Sequence, residues 1–80
     1  MRITRYFAVP FNRDRNGSLL PGLAIECADG RAAVARAQTL AENNPGAIAF
    51  FRSGDSDRDE CEPAEVLASF GAVPDDLSHL

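Results

Sequence analysis

From Ile3 the odd positions of the chain run Ile3, Arg5, Phe7, Val9, Phe11. A period of two carrying aromatic and branched side chains predicts a strand over about 3–11 with one buried face, and Pro10 marks its end. The polar stretch "NRDRNGSLLPG" comes next. Asn16-Gly17 and Pro21-Gly22 are turn dipeptides, because glycine accepts positive φ and proline presets φ for a tight reversal, so this stretch is expected to be a connecting loop. "LAIECA" then sets Leu23, Ile25 and Cys27 against Ala24, Glu26 and Ala28. That alternation predicts a second strand at about 23–28, pairing back on the first.

The period changes after Asp29. Ala33, Val34, Ala37, Leu40 and Ala41 fall at spacings of three and four and form one narrow apolar stripe, with Arg31, Arg36 and Gln38 facing away. A helix over about 30–43 is expected, opened by the Asp29 carboxylate as N-cap and closed by "ENNPG", where Pro45 disfavours helical geometry at Asn44. Small alanines let such a helix lie close to a sheet. Residues 47–53, "AIAFFRS", are apolar on both faces through Phe51, which predicts a strand covered on two sides.

The last segment has two readings. In "EPAEVLASFG", Pro63, Val66, Leu67 and Phe70 have helical spacing, with Pro63 suited to a first helical position and Gly71 to a C-terminal cap, which predicts a short helix over 63–70. In the rival reading Val66, Ala68 and Phe70 point one way along a fourth strand, and residues 54–63 form a hairpin tip. The tail "VPDDLSHL" could add a helical turn opened by Pro74. The fold class is therefore α+β in one domain spanning 1–80. It has a small, mainly antiparallel sheet of three strands with the main helix on one face, or four strands in a ββαββ order if 63–70 is extended. The choice decides which edge is open. A helix at 63–70 leaves the 47–53 strand exposed around Phe50 and Phe51, whereas a strand covers it.

Composition narrows this picture. With 80 residues, 45% hydrophobic and 25% charged, the chain suits one ordinary globular core and makes a second copy or a partner physically useful. No apolar run is long enough to span a bilayer, and "MRITRYFAVPF" has neither the apolar length nor the cleavage site of a signal peptide. No membrane association and a cytoplasmic location are the expectation. Cys27 and Cys61, widely separated, are expected to be free thiols rather than a disulfide framework. All eight basic residues are arginine. Residues 1–40 hold six of them against Asp14, Glu26 and Asp29, and residues 41–80 hold Arg52 and Arg58 against nine acids. Such lopsided charge fits a polar partner or head-to-tail self-association, and also a plain solvated acidic face.

Candidate chemistry is sparse. "GDSDRDE" places Asp55, Asp57 and Asp59 at alternate positions, the opening rhythm of a calcium loop. An EF-hand also needs glycine at position six and glutamate at twelve, where this chain has Glu60 and Val66, so a solvated turn bent at Gly54 is the plainer reading and a metal site at the three aspartates the alternative. Cys27, Cys61 and His79 lack the close ligand pairs of structural zinc. Arg2, Arg5, Arg13 and Arg15 interleave with Tyr6, Phe7 and Phe11, a pattern seen where single-stranded nucleic acid binds. Negative net charge and the use of rings as core weigh against a nucleic-acid partner. No phosphate loop, nucleophile elbow or H-E-x-x-H helix is present, so neither a catalytic residue nor a cofactor is expected.

Taken together, "PGLAIECADGRAAVARAQTLAE", "GAIAFFRSGD" and "FGAVPDDL" resemble a family of small, uncharacterised bacterial proteins in which these turns, an alanine-rich helix and a closing "VPDDL" recur. The resemblance covers residues 20–77 and implies a short stand-alone protein, with no activity or site to carry over. The expectation for function is a non-enzymatic module that binds itself or a protein partner through its sheet. A small-molecule or metal-ion accessory protein using the acidic loop 54–62 is the alternative.

Overall fold

Two long antiparallel strands form the spine of the molecule. β1 (Arg2–Arg13) pairs with β4 (Gly46–Asp55) in unbroken register from Arg2↔Asp55 to Phe11↔Gly46. The computed structural model describes residues 2–55, 57 and 60–74, with Glu60 and Cys61 described by backbone alone. On the outer side of β1 lie two short strands, β2 (Leu19–Pro21) and β3 (Ile25–Cys27). On the outer side of β4 lie β5 (Glu60–Cys61) and β6 (Glu65–Gly71). All these pairings are antiparallel, and the sheet is four positions wide.

Between β3 and β4 runs α1 (Gly30–Asn43), with the expected bounds. The Asp29 carboxylate accepts from the Ala32 N–H at 2.8 Å, which satisfies one of the free donors of the first turn. At the other end the Asn44 side chain donates to the Leu40 carbonyl at 2.8 Å, and Pro45 comes directly after it. The helix lies on the face that carries Ala8, Ala47 and Ala49. With Ala33 and Ala37 these make a fully buried layer of five alanines, rimmed by Tyr6, Cys27, Val34, Leu40, Ala41 and Phe70. The missing side-chain bulk lets helix and sheet backbones approach closely.

The opposite face carries the bulk. Val9, Phe11, Ile48 and Phe50 are at most 5% exposed there, and Phe7, Leu19, Ala64 and Val73 pack against them. Phe7 stacks on its cross-strand neighbour Phe50 with ring centroids 5.3 Å apart. The segment Gly46–Phe50 is thus buried on both sides, as its continuous apolar pattern requires.

Three expectations change. Residues 63–70 are not a helix: the chain is extended over Glu65–Gly71, the fourth-strand alternative. Pairing with β4 satisfies backbone groups that a helix there would leave open along a buried strand. The strand expected at 23–28 shortens to Ile25–Cys27. A separate piece, Leu19–Pro21, forms inside the stretch expected to be loop, because β1 continues to Arg13 and offers it a ladder. The sheet therefore holds six strand segments among the described residues rather than three.

Gly71 does take a positive φ of 70°, but at the end of a strand instead of a helix cap. Its cross-strand partner is Gly46, and Ala72 N–H donates to the Pro45 carbonyl at 2.9 Å. A Cβ on Gly46 would overlap the Ala72 carbonyl, so the two segments cross at a point only glycine allows. No helix among the described residues is long and apolar enough to cross a membrane.

Candidate interaction edge

Once β6 covers β4, the open side of the sheet passes to β6 itself. Two backbone bonds fix which of its groups face outward. Glu62 N–H donates to Ser53 C=O at 2.7 Å and Ala72 N–H to Pro45 C=O at 2.9 Å, so the odd residues of β4 turn their backbone groups toward β5 and β6. Backbone direction alternates along an antiparallel ladder. Ala47 and Ala49 therefore bond with their partners Phe70 and Ala68, and Ser69 between them turns its N–H and C=O away from β4. No strand among the described residues pairs with that side.

β6 is partly guarded. The register slips between Ala49 and Phe50, where Leu67 is the extra residue, and Glu65 stands at the strand's start; bulges and edge charges both discourage pairing. From Ala68 to Gly71 the pairing is regular. The bulge also turns two apolar side chains outward, with Val66 43% and Leu67 41% exposed. Leu67 lies against α1 and, with Gly30, Arg31, Val34, Ala35 and Gln38, lines an open groove of about 480 Å³.

The opposite edge is less suited to pairing. β2 and β3 are three residues each and separated by Gly22–Ala24, where Gly22 N–H is taken by the Pro10 carbonyl at 2.8 Å. Pro21 has no N–H to offer, and Leu23, 88% exposed, stands on the break itself. A second open groove runs between this edge and α1, lined in part by Glu26, Cys27, Arg36 and Thr39.

The residues singled out in the sequence do not converge. Asp55 ends β4 and accepts from the Asp57 N–H at 2.9 Å, a turn in which a carboxylate caps its own backbone two residues on. Asp59 lies outside the described residues, as do His79 and the tail after Pro74. Among the described residues no three His, Cys, Asp or Glu side chains gather as a metal would require. Cys27 is a half-buried free thiol at the rim of the alanine layer, its Sγ 3.5 Å from the Ile25 carbonyl.

The basic and aromatic residues of β1 are split by the strand's alternation. Tyr6 faces the helix and sits 6.0 Å from Phe51, whereas Phe7 and Phe11 belong to the other face and Phe11 is 1% exposed. Arg2 pairs with Glu62, Arg5 lies 3.9 Å from Glu26, and Arg13 donates to the Gly17 carbonyl at 2.9 Å. The Arg2–Glu62 pair joins the basic and acidic halves, so part of the charge asymmetry is met within the chain.

Ser69 and Leu67 do not stand out in the sequence as functional candidates, because their roles appear only once 65–71 is extended. The strand phase of Ala68 and Phe70 is the signal for it; Val66, expected to share their face, falls on the other face opposite Phe50 because the bulge at Leu67 intervenes. Comparison with family models, with curated proteins and with solved structures returned no match.

Proposed function

We propose that this chain is a non-enzymatic binding module that takes an extended polypeptide segment as an added strand on β6. The observation that carries it is the outward-facing backbone of Ser69 on an open edge, with Val66 and Leu67 exposed beside it. Strand addition draws affinity from main-chain hydrogen bonds and selectivity from pockets for alternate side chains, and the groove under Leu67 is such a pocket. The free thiol of Cys27 goes with a reducing, cytoplasmic setting.

A seven-residue valine- and threonine-rich peptide titrated into labelled protein tests this, at concentrations where light scattering reports single chains. Amide shifts confined to 65–71 and the Leu67 groove are expected, and Ser69→Pro should abolish them. That proline removes the outward N–H while leaving the β4 ladder bonds of Ala68 and Phe70 in place. Leu67→Lys serves as a second edge-blocking variant should the proline disturb folding. Absence of shifts at millimolar peptide, or shifts that survive both substitutions, would refute the proposal.

A further inference from the structure

We infer that the strand added to β6 is β6 of a second copy of this chain, antiparallel and centred on Ser69, with Arg31 of each helix set opposite Glu42 of the other. The inference rests on the edge-strand reading and adds the identity and register of the partner.

Two identical edges related by a two-fold axis pair antiparallel, and a hydrogen-bonded pair forms only where both residues turn their backbone groups outward. Ser69 is such a residue at the middle of β6, so centring the axis there lets Ser69 exchange both bonds with its own equivalent. In this register Ala68 faces Phe70 and Leu67 faces Gly71 of the second copy, and side chains of the helix-bearing face meet their like. Glu65 does not meet a second Glu65, because its counterpart in this register falls beyond Gly71, where the partner's strand ends, so no like charges stand opposite.

The helix supplies an independent check on that register. Arg31, Ala35, Gln38 and Glu42 succeed one another at four, three and four residues and form one stripe; all four are exposed. Arg31, Ala35 and Gln38 line the groove on the β6 side, so the stripe overlooks the edge. No described residue forms an ion pair with Arg31 or Glu42. α1 starts beside Leu67 and ends near Pro45, which is bonded to Ala72, so it runs alongside β6 in the same direction.

Eleven residues of helix separate Arg31 from Glu42, roughly 16 Å. The four residues from Leu67 to Gly71 span roughly 14 Å of strand. Placing Leu67 of one copy opposite Gly71 of the other therefore brings the Arg31 end of one helix level with the Glu42 end of its mate, to within about one strand residue. A stripe with opposite charges at its two ends is self-complementary under a two-fold axis, a property that specifically suits a second copy. Leu67 from each chain would fill the groove between the helices.

Sedimentation equilibrium on the full chain provides the test, with wild type, Ser69→Pro, Leu67→Lys, Arg31→Glu, Glu42→Arg and the double variant Arg31→Glu/Glu42→Arg. Wild type should run at twice the 8.6 kDa chain mass. Ser69→Pro and Leu67→Lys should run as single chains. Each single charge reversal places like charges together twice per dimer and should weaken association about 10-fold, and the double reversal should restore it to within about 3-fold of wild type. A monomeric wild type that still binds the valine- and threonine-rich peptide would overturn the second copy while leaving strand addition standing. A dimer indifferent to Ser69→Pro and Leu67→Lys would overturn the pairing of copies through β6, and strand addition would fall with it only if the peptide shifts were absent or equally indifferent to those variants. A dimer that responds to Ser69→Pro, but in which the double reversal fails to restore what the single reversals lose, would overturn the register.

Discussion

Ala37→Leu is expected to destabilise this protein, and the sign of the effect is the informative part. Leucine and alanine have nearly equal helix propensity, so the backbone preference of α1 barely changes. Three added carbon groups would gain about 2 kcal/mol if they found apolar space, at roughly 0.8 kcal/mol each. The structure offers none: Ala37 is 0% exposed and meets Ala8, Ala33, Ala47 and Ala49, all equally buried. The larger side chain must push the helix off the sheet or leave its rotamer, at a net cost of about 1–3 kcal/mol. For a domain of this size, with about 4–12 kcal/mol in all, that is a large share.

Urea unfolding at one fixed protein concentration measures it. At a slope near 1 kcal/mol per molar, the midpoint should fall by about 1–3 M with the slope unchanged. Thr39→Leu, exposed on the same helix, should move it by no more than about 0.5 M. A raised midpoint for Ala37→Leu would mean that the helix is not seated on an alanine layer.

Two further substitutions probe the crossings and caps. Gly46→Ala should cost more than about 3 kcal/mol in thermal unfolding, since its methyl group would meet backbone that has no rotamer to yield; wild-type stability would contradict the Gly46–Gly71 crossing. Asp29→Ala should cost about 1 kcal/mol by the same assay through loss of the Ala32 N–H cap, with Asp29→Ser recovering most of it.

How far the fold could be read from the sequence depended on how local each signal was. The helix bounds at 30 and 43 were legible because Asp29 and Pro45 act within a few residues of themselves. The two-sided burial of Gly46–Phe50 was legible from its unbroken apolar pattern. Glu65–Gly71 was legible only as one of two readings, because a seven-residue segment with an extra residue at Leu67 breaks its own alternation, and the bulge is dictated by register with β4, far away in sequence. Leu19–Pro21 hid among turn residues for a similar reason, since only the length of β1 makes it a strand. The candidate edge inherits this limit: Ser69 gains its meaning from a backbone direction set by Pro45 and Ser53.

Amide hydrogen exchange across β6 tests the central claim most directly. At low concentration Ala68 and Phe70 should exchange slowly through their bonds to β4, while Ser69 between them exchanges fast, and at high concentration Ser69 should join the slow class. Uniformly fast exchange over 65–71, or carbon shifts of helical sign there, would contradict the strand, its open edge and the pairing built upon it.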